Sequence, residues 1–137
     1  MIATTSQDCT ARLWSTDSGE CLPAFERSGH HLYSAVFSPD GASILTVGEP
    51  GLVEIWDAAS GQLLRSYTEG DGLVCSAVFS PDGMQILIGS MNAVATLHTA
   101  ESMECLRAFV GHTDDINAAL FSPDASAILT ASGDCTA

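Results

Sequence analysis

Short runs of aliphatic, aromatic and β-branched residues recur along the chain, and each run is bounded by Gly, Pro, Ser, Asp or Asn. Runs of this kind between turn-forming residues are typical of β-strands. Some runs, such as Ile44–Val47, are apolar at nearly every position, which predicts a strand buried on both faces. No helical pattern lies between the runs. The hydrophobic pattern therefore predicts an all-β fold.

The runs recur with a fixed period of 42 residues. The stretches Ser34–Gly41 and Ser76–Gly83 both read SAVFSPDG, and Ala118–Ala125 reads AALFSPDA. A shift of 126 residues, or three periods, places Ile2–Ala11 on Ile128–Ala137 without a gap. A constant period of about 20 to 50 residues is the signature of units that stack against one another. The sequence therefore predicts a repeat protein with three periods and a remainder.

Four antiparallel strands are predicted in each period. A turn follows the first strand, as at Ser38–Gly41, because proline already has the φ value that the second residue of a type I turn requires. Pro23 predicts an edge position for the fourth strand, since proline lacks the N–H that an inner strand would donate. From first to fourth, the predicted strands are Tyr33–Phe37, Cys75–Phe79 and Asn117–Phe121; Ile44–Val47, Ile86–Ile88 and Ile128–Thr130; Ala11–Trp14, Val53–Trp56 and Ala95–His98; Cys21–Phe25, Leu63–Tyr67 and Cys105–Phe109.

Four motifs give the repeat a family resemblance. They are Gly111-His112, LFSPD at 120–124, DCTARLW at 8–14 and Ile55-Trp56-Asp57. With these motifs the whole chain resembles WD40 repeats. The resemblance implies a β-propeller, in which each period supplies the outer strand of one blade and three inner strands of the next.

The resemblance also implies the organisation of the repeats. Because propellers close with about four to eight blades, we expect an incomplete, open ring of about three blades and further WD40 blades in a parent chain. The expected repeat phase is a partial repeat at 1–26, repeats at 27–68 and 69–110, and a partial repeat at 111–137.

A hydrogen-bonded network of His, Ser or Thr, Asp and Trp is implied for each repeat. The middle repeats depart from it, since Pro50 and Asn92 replace the Asp and His98 replaces the Trp. His30 is left outside the network, because it lies two residues closer to the following Phe than His112 does. We therefore expect packing to hold the middle blades together. The matching network residues are Thr4, Asp8, Trp14, Trp56, His112, Thr130 and Asp134.

The charge balance narrows the class of function. Seventeen acidic residues stand against four arginines and no lysine, which gives a net charge of −13. Nucleic-acid binding needs Lys or Arg concentrated on one face, so this class is excluded. The sequence lacks the pattern of a signal peptide or of a membrane span. Five cysteines without a C-x-x-C pair favour reduced thiols, and we expect a cytoplasmic protein without membrane contact.

The sequence also contains candidate catalytic, metal-binding, phosphorylation and phosphate-binding motifs, and each has a simpler structural explanation. We expect no enzyme, cofactor or metal site. His112, Thr130 and Asp134 could form a hydrolase-like trio, but they match network positions, and buried polar groups need partners in any case. His30 and His31 have no further metal ligand at a suitable spacing. Ser-Pro could be a phosphorylation motif, but a turn explains all three copies. No glycine-rich stretch continues into a helix, as phosphate binding requires.

The loops are the remaining candidates for function. In the family that the chain resembles, partners bind at a rim formed by the loops entering the first strand and those joining the second strand to the third. Here these loops vary while the strands repeat, as expected if loops carry recognition. The candidate rim residues are His30, His31, Tyr33, Glu49, Asp71, Leu73, Met91, Asn92, Asp114, Asp115 and Asn117.

We accordingly expect a non-catalytic scaffold module that binds a protein or peptide, with basic character because the loops are acidic. Two alternatives stay open. The repeats could be the regulatory or targeting portion of a larger enzyme such as a kinase, protease or NTPase, because a fold does not fix a function. They could also be a truncated array with no function of its own.

Overall fold

The computed structural model describes residues 1–22, 25–26, 30–70 and 73–137, which form thirteen β-strands and no helix. Accordingly, these residues contain no helix with the length and apolar character needed to cross a lipid bilayer. The strands are β1 (Ile2–Thr5), β2 (Thr10–Trp14), β3 (Phe25–Glu26), β4 (Leu32–Phe37), β5 (Ser43–Gly48), β6 (Leu52–Asp57), β7 (Leu63–Thr68), β8 (Val74–Phe79), β9 (Gln85–Ser90), β10 (Val94–Thr99), β11 (Cys105–Val110), β12 (Ile116–Phe121) and β13 (Ile128–Ser132).

The strands form four antiparallel sheets, each of which is one blade. The first blade contains β1 to β3, the second β4 to β7, the third β8 to β11 and the fourth β12 and β13. Within each blade the strands pair in the order of the sequence. The predicted all-β fold of incomplete propeller blades is confirmed.

The fourth strand of a period lies at the outer edge of its blade, as predicted. Strands β7 and β11 are exposed at five of their six residues. In the first blade both ends of the predicted strand Cys21–Phe25 pair with β2: Cys21 makes an isolated bridge to Trp14, and Phe25, which begins β3 (Phe25–Glu26), pairs with Ala11. Pro23 lies outside the described residues.

The Ser-Pro-Asp stretch forms the same turn in the second, third and fourth blades. In the second blade the Ser38 hydroxyl donates to Asp40 over 2.6 Å, and the Gly41 N–H donates to the Ser38 carbonyl oxygen over 2.8 Å. Equivalent bonds recur in the other two copies. Ala125 replaces the glycine in the last copy and keeps a positive φ of 57°, at a cost of about 1 kcal/mol. The stretch is therefore a structural turn in all three copies.

The hydrophobic core lies between neighbouring blades. Three clusters join the first blade to the second, the second to the third and the third to the fourth. Burying one large aliphatic side chain stabilises the fold by about 1.5–3 kcal/mol, so each blade depends on its neighbours. In chain order the clusters include Leu13, Ile44 and Trp56; Leu45, Val74 and Ile88; and Leu87, Ala95 and Ile116.

The second strands of the two middle blades are buried on both faces. Strands β5 and β9 are buried at five of six positions, as predicted. The same prediction is wrong for Ile128–Thr130, because Leu129 is 57% exposed whereas the equivalent Leu87 is 0% exposed. Strand β9 lies between two other blades, whereas in the described residues β13 is covered from one side only.

Candidate functional site

One backbone hydrogen bond recurs in three blades and builds a rim of loops. In each case the loop between the second and third strands donates an N–H to a carbonyl oxygen of the segment that enters the first strand, over 2.9 Å. The two loop types of the predicted rim therefore meet in the same way in each blade, while their side chains differ. The bonded pairs are Glu49 with His31, Met91 with Leu73, and Gly133 with Asp115.

In the second blade the rim carries an aromatic side chain bonded to an acid. The Tyr33 hydroxyl donates to Oε1 of Glu49, and this bond raises the pKa of Tyr33 to about 12. Tyr33 remains 44% exposed. Nδ1 of His31 lies 2.6 Å from the carbonyl oxygen of Gln7 and donates to it, which connects the rim to the first blade. Of the predicted rim residues here, His30 is half-buried and His31 is exposed.

In the third blade the rim is more apolar. Met91 is 44% exposed, and Leu73, whose carbonyl oxygen holds the Met91 N–H, is half-buried. The carboxamide oxygen of Asn92 accepts the N–H of Val94 over 3.1 Å, so Asn92 closes its own turn. Asp71, also predicted at the rim, lies outside the described residues.

In the fourth blade the rim is acidic. Asp114 is exposed and accepts the N–H of Asp115 over 2.9 Å. Asp115 is half-buried. It acts on Cys75 of the third blade, because burial and the nearby charge of Asp115 raise the pKa of that thiol. Asn117 is exposed at the start of β12. The acidic segment thus continues the rim across the boundary between two blades.

The predicted rim residues include acidic side chains but no arginine or lysine. The described members of this set include the carboxylates of Glu49, Asp114 and Asp115. The arginines that the structure describes lie inside strands β2, β7 and β11. The described residues of the predicted rim are therefore negatively charged overall and include the exposed aromatic ring of Tyr33 and the exposed thioether of Met91.

Two of the predicted network contacts are tryptophan–threonine pairs. The indole N–H of Trp56 donates to the Thr46 hydroxyl over 2.9 Å in the second blade, where both residues are buried. Trp14 donates to Thr4 in the same way over 2.8 Å in the first blade. Asp8 was predicted to belong to the same network as Trp14 and Thr4. Its carboxylate instead accepts the N–H and the hydroxyl of Thr10.

The other predicted contacts centre on His112 in the fourth blade. Its Nε2 lies 2.8 Å from the Thr130 hydroxyl and its Nδ1 lies 2.8 Å from Asp134. The backbone N–H of Thr113 also donates to Asp134, over 3.0 Å. The imidazole therefore connects the loop that enters β12 with β13 and with the turn that follows it.

The sequence analysis missed a polar cluster in the third blade. His98 is 0% exposed, and its Nδ1 lies 3.1 Å from the Met103 carbonyl oxygen. Its Nε2 lies 3.4 Å from Glu69, and the Thr96 hydroxyl donates to the same carboxylate. One signal was present, because the residue 42 positions after Thr46 is Ile88, which cannot bond His98. His98 therefore needed another polar partner.

Across the described ranges, no group of three or more His, Cys, Asp or Glu side chains could hold a metal ion. The five cysteines are unbonded to one another, and Cys21, Cys105 and Cys135 are exposed.

Acid is expected to destabilise the fold through the loop and turn carboxylates. Hydrogen bonds from Ser or Thr lower their pKa values, and that of Asp124 falls to about 2. A lowered folded-state pKa stabilises the fold above the unfolded value of about 3.9 and loses this effect as pH falls towards the folded value. The melting temperature should therefore drop between about pH 4 and pH 2. The affected residues are Asp8, Asp40, Asp57, Asp82, Asp124 and Asp134.

The variant Asp124→Asn provides the matched comparison for this acid effect. At pH 6 it should melt below the wild type, because the ionised carboxylate is the better acceptor for Ser122 and Ser126. The difference should shrink as pH falls towards 2 and the wild-type carboxyl becomes protonated. A difference that stays constant across this range would contradict the assignment.

Part of the sequence matches the profile of a known family. The profile of the WD40 family, described as WD domain, G-beta repeat, matches residues 19–57 and 103–137, together more than half of the chain. The first matched segment includes the Trp56–Thr46 pair, and the second includes the whole His112 network.

Proposed function

Since the chain belongs to the WD40 repeat family, we propose that its loop rim binds a protein or peptide with basic character. WD40 repeats are generally protein-interaction scaffolds, and WD40 domains are generally non-catalytic. The observation that carries the proposal is the rim itself, where a repeated backbone frame presents carboxylates and exposed Tyr33 and Met91.

The chemistry of the rim supports a partner with both basic and apolar residues. Asp114 and Asp115 attract Lys or Arg, and complementary charge speeds association and selects the partner. Tyr33 and Met91 supply the apolar contacts that carry much of the binding energy at interfaces, since aromatic and Met residues are enriched there. Tyr33 is already held in place by Glu49, so ordering it on binding costs little entropy.

The test uses an immobilised library of Lys- and Arg-rich peptides together with matched peptides in which these residues are replaced by Glu. The chain should bind members of the first set and not the second, and binding should weaken as salt is raised. The double variant Asp114→Asn, Asp115→Asn should lose about tenfold or more in affinity, or about 1.4 kcal/mol.

The control is the double variant Glu101→Gln, Glu104→Gln, which removes two exposed carboxylates from the turn between β10 and β11. Like the rim variant it makes the net charge less negative by two units, but it does not touch the rim, and its affinity should stay within about twofold of the wild type. Equal losses in the rim variant and this control would mean that net charge, and not the rim, attracts the peptides. Failure of every basic peptide to bind would overturn the proposal.

A further inference from the structure

The third blade replaces the tryptophan–threonine pair with a different polar arrangement. His98 occupies the position of Trp56 in the repeat, and Ile88 occupies that of Thr46. The imidazole turns towards the second blade, where its ring centroid lies 5.1 Å from that of Tyr67. The partner of His98 is Glu69, which follows β7 and therefore belongs to the preceding blade.

Glu69 binds two residues of β10 at once. The Thr96 hydroxyl lies 3.2 Å and 3.3 Å from its two carboxylate oxygens, and Nε2 of His98 lies 3.4 Å from Oε2. The His98 contact suits an ion pair more than an aligned hydrogen bond, because it is longer than usual for N–H···O. The other ring nitrogen faces the Met103 carbonyl oxygen and must donate to it. With both nitrogens facing acceptors, the protonated imidazole fits the site better than the neutral form.

The remaining titratable groups around His98 can be assigned from the strands that contact it. Tyr67 lies against the ring, and burial, together with the charges of Glu69 and Cys105, raises the pKa of its hydroxyl, which keeps it neutral. Cys105 pairs with His98 on β11 and is exposed. Strand β9 places Ile86 opposite His98. Among the residues that the structure describes, Glu69 is therefore the carboxylate that faces the imidazole.

Two arginines lie on the flanking strands, Arg65 on β7 and Arg107 on β11. Arg107 pairs with Leu97, the neighbour of His98, and so lies on the other face of the sheet. Nε of Arg65 donates to the carbonyl oxygen of Glu101. Neither supplies the charge that Glu69 meets in the buried site.

We propose that the buried His98 and the half-buried Glu69 form an ion pair that joins the second blade to the third and is released when the imidazole loses its proton. This ion pair makes the contact between the two blades sensitive to pH. Burial alone lowers the pKa of His98, but the Glu69 carboxylate and the Met103 carbonyl oxygen outweigh it, so the pKa is raised. A raised folded-state pKa stabilises the fold fully below the unfolded value of about 6.5 and loses this effect as pH rises through the folded value.

The first experiment measures thermal unfolding of the full chain between pH 6 and pH 8.5, in the wild type and in Glu69→Gln. The wild type should lose about 3 °C or more in melting temperature as pH rises over this range. Glu69→Gln should lose less than half as much, because its amide can still bond Thr96 but has no charge to pair with His98. Since His112 and Asp134 are unchanged in both proteins, their contribution cancels in the comparison.

The second experiment follows the imidazole of His98 by NMR during a pH titration and does not depend on how well the variant folds. In the wild type the midpoint should lie above about 6.5, and in Glu69→Gln it should move down. The variant His31→Gln, which removes an exposed histidine of the rim, should leave the midpoint of His98 unchanged. A wild-type midpoint at or below 6.5, or the same slope of melting temperature against pH with and without Glu69, would overturn the proposal.

Discussion

Replacing Trp56 with alanine is expected to lower the free energy of unfolding by about 3–5 kcal/mol. Trp56 is only 8% exposed and packs with Leu13, Leu32 and Ile44 between the first and second blades. The substitution removes this packing, leaves a cavity and takes away the donor to Thr46. Because domains of this size are stable by only about 5–15 kcal/mol, the loss would be visible as a large shift of the midpoint in urea denaturation.

Trp14→Ala serves as the matched control for Trp56→Ala. Trp14 makes the same indole bond, but it is half-buried and its partner Thr4 is exposed. We expect its loss to be smaller, about 1–2 kcal/mol. Equal losses for the two variants would contradict the view that burial between blades, and not the hydrogen bond, gives Trp56 its large effect.

A second large effect is expected for Gly48→Ala at the end of β5. The added Cβ would lie 2.6 Å from the carbonyl oxygen of His31 and 2.9 Å from a methyl carbon of Leu32. That oxygen cannot move away freely, because it accepts the N–H of Glu49 in the repeated rim bond. Overpacking of this kind costs about 1–3 kcal/mol, which a shift in the melting temperature would report.

Gly111→Ala provides the control for this prediction. A Cβ at Gly111 would meet no atom within 4 Å, so its stability should stay within about 0.5 kcal/mol of the wild type. If Gly48→Ala were equally neutral, the close approach of the two loops at the rim of the second blade would be wrong.

The 42-residue period made most of the fold predictable. Strands, turns and their order follow from local patterns that repeat, so one period fixes the others, and the turn at Ser38–Gly41 is found again at each copy. Burial was less predictable, because it depends on the neighbouring sheet and not on the strand. Leu87 and Leu129 have equivalent positions in the repeat, yet one is buried and the other exposed.

The candidate site was predictable only where a motif marks it. The bonds of Trp56 with Thr46 and of His112 with Thr130 connect residues whose spacing belongs to the repeat. Glu69 had no such mark, because it reaches His98 from the preceding blade across 29 positions of sequence. A contact formed once, between a loop of one blade and a strand of the next, leaves no periodic signal.

The backbone hydrogen bond that recurs at the rim determines how the loops meet but does not determine which side chains they carry. It uses only main-chain N–H and C=O groups, so the bond itself excludes only proline from the donor positions 49, 91 and 133. At position 133 the space is also limited, because a Cβ would lie 3.1 Å from a carboxylate oxygen of Asp114. Side chains on the two loops can then change one blade at a time without altering how the loops meet. The backbone frame stays fixed while single side chains on it are replaced. The surface that the rim presents can therefore change by point substitution alone.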